Sequence, residues 1–114
     1  VPDSTMKILE KLLDVTAYRQ RILTSNIANA DTPGYRAKDI DFQRELDSAM
    51  KSDSKTMSYT IYEPMTTLPN RDGNTVNIEV EMAKIAENSL TYTAATQLLT
   101  MKLRMMKSAI RGGV

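Results

Sequence analysis

The stretch SNIANADTPGY, Ser25 to Tyr35, is where this chain changes character. Two asparagines three residues apart, Asn26 and Asn29, are followed by Asp31, Thr32, Pro33 and Gly34, all residue types that help a chain stop and turn. Asn bonds neighbouring backbone groups and tolerates left-handed geometry, so it belongs at helix ends. Pro33 drives Thr32 out of helical geometry. The stretch therefore reads as the end of one element and the entry to a turn.

Upstream, residues 4–30 have helical spacing. Leu9, Leu13, Thr16, Gln20, Leu23, Ile27 and Ala30 follow alternating steps of four and three, a seam for a partner helix. Thr16 and Gln20 interrupt that seam with polar groups, which weakens it and makes its register more particular. Asp3 or Ser4 can supply the N-cap. At about 1.5 Å per residue the predicted helix is about 40 Å long.

Downstream, residues 77–111 carry the most regular periodicity in the chain. Ile78, Met82, Ile85, Ser89, Tyr92, Thr96, Leu99, Leu103, Met106 and Ile110 hold the same alternating steps without a break. Asn77 can cap this helix, Glu79, Glu81 and Glu87 lie early in it, and Lys102, Arg104, Lys107 and Arg111 lie late, an order that suits the helix macrodipole. Gly112-Gly113 closes a helix of about 50 Å. Between the two helices, residues 31–76 are polar and mixed. Asp39 to Lys51 predicts a short helix with Ile40, Leu46 and Met50 near one side, Thr56 to Tyr62 alternates as an extended segment or hairpin strand does, and Pro64, Pro69 and NRDGN supply turns.

The expected fold is thus mainly α: one domain over 1–114 with two long terminal helices and a short irregular middle. Only 5% of the chain is aromatic, with no Trp and one Phe, so any interior must be built from Leu, Ile, Met, Ala and Val. Such a chain is expected to be weak as an isolated monomer. Eight methionines offer apolar surface that repacks readily. With neither Cys nor His, thiol chemistry, disulfides, thiolate or imidazole metal sites and the commonest general base are excluded. A net charge of +1 argues against a nucleic-acid binder. No apolar run approaches the roughly 20 residues that span a bilayer, and no secretory leader is expected, so any export must use a route without a cleaved signal. Two seams of this length suggest a subunit completed by copies of itself or by relatives. An antiparallel hairpin, each helix burying the other's stripe, is the alternative, and the two are compatible.

Two separated motifs carry a resemblance. SNIANADTPGYRAKDIDF, Ser25 to Phe42, closely resembles the signature of the bacterial flagellar rod, hook and hook-associated axial proteins. DGNTVNIEVEMAKIAENSLTYTAATQLL, Asp72 to Leu99, and the ending KSAIRGG resemble the C-terminal half of that family's shortest members, the rod proteins. The middle is shorter than the family pattern leads one to expect. The resemblance implies a non-enzymatic structural subunit of the basal-body rod, exported through the flagellar type III apparatus and assembled in the periplasm. Its implied partners are other copies, other rod proteins, and the membrane ring and export gate at the rod base. No cofactor, metal, nucleic acid or small-molecule substrate is implied.

Under that resemblance Asn26, Ile27, Asn29, Thr32, Pro33, Gly34 and Tyr35 form a candidate assembly motif, with the Asn26 and Asn29 amides bridging adjacent subunits. Helix-end chemistry is the plainer reading of both, and Pro33-Gly34 reads as the turn itself, with Tyr35 packing it. Leu9, Leu13, Leu23, Ile27, Ile78, Met82, Ile85, Leu99, Leu103, Met106 and Ile110 are candidates for a seam, within the hairpin or between subunits. Phe42 and Leu46 resemble the short element by which early flagellar substrates engage the export gate, although an amphipathic turn has the same spacing. Asp39, Asp41 and Glu45 are the one acidic cluster that suits a hard cation, and a solvated helix start explains them more simply. The late basic run answers the helix dipole, or contacts anionic lipid. A soluble adaptor or export chaperone that binds partner helices through a methionine-rich face is the competing function.

Overall fold

The computed structural model describes residues 4–51, 58–65 and 68–112. In chain order these form α1 (Ser4–Ala28), β1 (Asp39–Ile40), α2 (Phe42–Lys51), β2 (Ile61–Tyr62) and α3 (Ile78–Ile110). The mainly helical fold expected from the sequence is the one observed. Asp3, Thr56, Met57 and Gly113 lie outside the described residues.

α1 stops at Ala28, two residues before the predicted end, because the chain tightens there. The Asn29 N–H bonds the carbonyls of both Ser25 and Asn26, and a succession of short turns follows, Ala30 to Ile27, Thr32 to Asn29 and Tyr35 to Thr32. Pro33 has no N–H to continue a helix, and Gly34 takes a φ of +74° that other residues resist. α3 begins where the sequence predicts, since Asn77 is extended and its side chain accepts the Val80 N–H at 3.3 Å. At the other end the Arg111 N–H bonds the Lys107 carbonyl before Gly112 turns with φ +66°.

The middle segment differs from expectation at its start. Asp39 and Ile40 form a two-residue strand paired antiparallel with Tyr62 and Ile61, and the short helix begins only at Phe42. Asp41 sets that start: its carboxylate accepts the Arg44 N–H at 3.2 Å and its carbonyl the Glu45 N–H at 2.9 Å. Ile40 is accordingly a buried strand residue, while Leu46 and Met50 are half-buried on α2.

α1 is the central element. α3 packs antiparallel along one side of it, and α2 and β1 cover another. Lys11 Nζ donates to the Ala49 carbonyl of α2, and Tyr18 of α1 stacks on Tyr59 with ring centroids 4.2 Å apart. The molecule is elongated, 65 Å long and 25 by 17 Å across. Its described interior holds eight buried apolar residues and eight buried polar ones, so half of what the fold hides from water must be satisfied by hydrogen bonds rather than by apolar contact. No helix among the described residues is long and apolar enough to cross a membrane.

Candidate functional site at the helix junction

The buried polar residues converge where α1 ends and α3 begins. Asn26, fully buried in the last turns of α1, donates from Nδ2 to the Lys38 carbonyl at 2.7 Å and to Glu81 Oε1 at 2.6 Å, while its Oδ1 accepts the Lys38 N–H at 2.9 Å. One side chain thus ties α1 to the segment after the turn and to the first turns of α3. Tyr35 Oη reaches the same Oδ1 at 3.5 Å. The expectation that the Asn26 amide bridges to a neighbouring subunit is corrected here: both of its N–H groups are committed inside its own chain. Asn29, half-buried, works the helix end, with Nδ2 on the Ser25 carbonyl at 2.8 Å and Oδ1 accepting from Thr32 Oγ1 at 3.0 Å.

The turn Asp72 to Val76 closes over this end. The turn after α1 has carbonyls that no helix ladder satisfies, and Asn74, 1% exposed, supplies partners for them from across the fold. Its Nδ2 lies 3.0, 3.0 and 2.8 Å from the carbonyls of Asn29, Ala30 and Thr32, and its Oδ1 accepts the Val76 N–H at 2.7 Å. Thr75 adds two bonds to the same strand of chain, its N–H to the Tyr35 carbonyl at 3.0 Å and its Oγ1 from the Ala37 N–H at 2.8 Å. The approach is close enough that a Cβ on Gly73 would lie 3.6 Å from the Gly34 Cα, and Gly73 has φ +84°. The two motifs quoted from opposite ends of the sequence are therefore the two halves of one polar joint.

A charged network continues from it. Arg19 of α1 grips Asp39 of β1 through Nε at 2.9 Å and a second nitrogen at 3.0 Å, and Lys84 of α3 lies 3.5 Å from the same carboxylate and 3.9 Å from Glu81. Burial opposes ionisation of Asp39. The Arg19 hydrogen bonds and charge, the Ile40 N–H and the Lys84 charge together outweigh it, so the carboxyl is held below its ordinary range. The Asp39 hydrogen bond likewise raises Arg19 above its ordinary value against its own desolvation. Asp39 is thus a structural ion-pair member and not part of a solvated helix start. Its companions are separately engaged, Asp41 as the α2 cap and Glu45 as acceptor of the Thr60 N–H at 2.9 Å. No group of three metal-ligating acids stands together among the described residues.

Further along the molecule, Asn88 of α3 donates to the Thr16 carbonyl at 2.8 Å and to Gln20 Oε1 at 3.0 Å. Every buried side-chain nitrogen and oxygen among the described residues has a partner. Arg19, Asn74, Thr75, Lys84 and Asn88 carry much of this joint, and periodicity of apolar residues does not find them. Glu81, Asn88 and Ala95, the buried residues of α3, do recur every seven positions, a signal that needs no apolar residue at all.

The predicted seam residues divide between inside and outside. Leu9 and Leu23 are buried and Leu13 and Ile27 half-buried against the rest of the fold, whereas on α3 only Ile85 and Leu99 are even half-buried. Ile78, Met82, Leu103, Met106 and Ile110 are exposed, Met82 by 59% and Ile110 by 82%. A groove of about 750 Å³ lies between α1 and α3, lined mostly by small or uncharged side chains that include Ala17, Thr24, Ala28, Ser89 and Thr93. Thr32, Pro33 and Gly34 are exposed, while Phe42 and Leu46 are half-buried on α2.

A family model described as "Flagella basal body rod protein" matches residues 13–36, the second half of α1 and its terminal turn. The chain is 33% identical to the flagellar basal body rod protein FlgB of Escherichia coli (strain K12), over 97% of this chain and 96% of that one. It is 32% identical to FlgB of Bacillus subtilis (strain 168), over 96% and 95%, and 40% identical to FlgB of Cereibacter sphaeroides, over 82% and 84%. The alignment with the Escherichia coli protein runs to 132 positions, more than the 114 residues of this chain, so that relative carries residues that this chain lacks. With relatives that similar over almost the whole of both chains, this chain belongs to the FlgB family of flagellar basal body rod proteins.

Proposed function

We propose that the chain is a non-enzymatic structural subunit of the flagellar rod, assembling with copies of itself and with other rod proteins to carry torque in motility. The observation that supports this most is the orientation of α3. The residues it buries against its own chain are Glu81, Asn88 and Ala95, while Leu90, Leu98, Met101 and Met105, which share another side of the helix, are exposed. A monomeric protein orders these the other way round. An outward apolar helix face of this length marks a surface completed by another chain.

The polar joint fits the same role. It fixes α1, the turn and α3 as a unit through directional bonds, so a load on one helix passes to the other without sliding. Close packing between neighbouring subunits then gives stiffness, since dense protein interiors barely compress. Exposed Thr32, Pro33 and Gly34 are left at the end of the unit for contact with neighbours. At the rod base the partners are the membrane ring and the export gate, and the chain reaches the periplasm through the type III apparatus without a cleaved signal. Phe42 and Leu46 are the candidate gate element. Because both are half-buried in the folded chain, gate engagement precedes folding.

Deleting the gene tests the assignment. The expected outcome is loss of swimming with basal bodies that lack rods, restored by the wild-type gene in trans. Normal rods in the deletion strain contradict it.

A further inference from the structure

α3 bears opposite charge at the two ends of one apolar row. At its N-terminal end the exposed Ile78 and Met82 are accompanied by exposed Glu79 and by Asp72 in the turn that leads into the helix, with Arg71 beside that aspartate. At its C-terminal end the exposed Leu103, Met106 and Ile110 alternate with Arg104, Lys107 and Arg111, and no acidic residue follows Glu87 in the whole sequence.

That C-terminal end projects beyond its own partner helix. The antiparallel register that sets Asn26 on Glu81 and Thr16 on Asn88 carries the first residue of α1, Ser4, only to the level of about Lys102. Every described residue from Leu103 to Gly112 is accordingly exposed. A basic, apolar helix end therefore extends past the described part of α1, and an acidic, apolar helix start lies at the opposite end.

We infer that these two ends dock on each other in successive copies: the projecting end of one α3 lies against the first turns of the next, Leu103, Met106 and Ile110 on Ile78 and Met82, with Lys107 and Arg111 towards Asp72 and Glu79. The inference rests on the reading of the chain as an assembling subunit and specifies one of its contacts. Two different surfaces meeting head to tail make a heterologous contact, which leaves a free end on every added copy and grows, whereas the same charges paired in an antiparallel dimer close on themselves. The complementary charges also place a second copy there in preference to a partner of unrelated sequence.

The absence of native cysteine makes the test direct. Full-length protein carrying Met82→Cys and Met106→Cys together is concentrated and oxidised mildly. A covalent ladder of dimers, trimers and larger species is expected, weakened by salt, while a mixture of the two single variants gives dimers alone. Dimers alone from the double variant overturn the head-to-tail contact in favour of a closed pair, and no cross-link overturns it altogether. Charge reversal guards against misfolded cysteine variants: Glu79→Lys and Lys107→Glu each lower self-association in sedimentation, and an equimolar mixture of the two regains the contact between reversed ends. A mixture that associates no better than either variant overturns the inference. A deletion strain that fails to swim while the ladder is absent removes this contact and leaves the subunit assignment standing; a swimming deletion strain removes the assignment itself.

Discussion

The two faces of α3 reverse the usual order of a protein helix. Towards α1 it presents Glu81, Asn88 and the small Ala95, each buried, and on another side it presents Leu90, Leu98, Met101 and Met105, each exposed. The inner face is held by hydrogen bonds that permit one register only, since sliding by a turn breaks the Asn26–Glu81 and Asn88–Thr16 contacts together. The outer face is exposed among the described residues, and under the proposed role it is covered by apolar burial against a neighbour, which is strong and undirected. The difference divides the work: polar groups define the subunit, and apolar groups join it to others.

Breaking the inner face has the largest expected effect on stability. Asn26→Ala removes three bonds of 2.6 to 2.9 Å and leaves the Lys38 peptide and the buried Glu81 carboxylate short of partners. A loss of about 3–5 kcal/mol in urea unfolding is expected. Asp39→Asn comes next, at about 2–3 kcal/mol, because Arg19 and Lys84 then face a neutral group. Replacing Arg19 and Asp39 together with Met and Leu recovers most of that loss, as buried pairs exchanged for apolar groups do.

The same carboxylate gives the inner face a pH signature. Asp39 has a folded value below its unfolded one, so its contribution is present in full above the unfolded value of about 3.9 and disappears as pH falls through the folded value. The stability gap between wild type and Asp39→Asn is expected to be constant above about pH 5 and to shrink below about pH 4. A gap that widens on acidification contradicts the ion pair. Asn74→Ala, which leaves the buried carbonyls of the turn after α1 without their partner, is smaller at about 1–3 kcal/mol. Smallest is Met101→Ser on the outer face, within about 0.5 kcal/mol of wild type in the isolated protein.

Much of this was legible before the structure. The stop at Asn29 to Gly34, the Asn77 cap and both long helices follow from local chemistry that acts within a few residues. The α1 stripe was also readable, because Leu9, Leu13, Leu23 and Ile27 do turn inward. The α3 stripe is real but lies beside the row that α3 buries: Ile85 and Leu99 are half-buried at its edge, and Leu103, Met106 and Ile110 run past α1. Apolar periodicity reports which residues share a face and cannot report whether the partner that covers it belongs to the same chain. The true inner row, Glu81, Asn88 and Ala95, is silent to such a search since two of its three members are polar. The motif marks Asn26 but not its partners, because Lys38 and Glu81 lie 12 and 55 residues away in sequence. The ion pairs of Asp39 are hidden for a similar reason, because only the folded chain brings Arg19 and Lys84 to it.

The division of labour between buried polar groups and exposed apolar ones is tested most directly by Leu103→Asp, measured twice on one variant. Purified protein is expected to unfold at the wild-type urea midpoint, since Leu103 is 48% exposed and beyond the reach of α1, while cells carrying the variant build basal bodies without complete rods, because a carboxylate buried by a neighbour costs several kcal/mol. A variant whose isolated fold collapses, or one that builds normal rods and swims, contradicts the account.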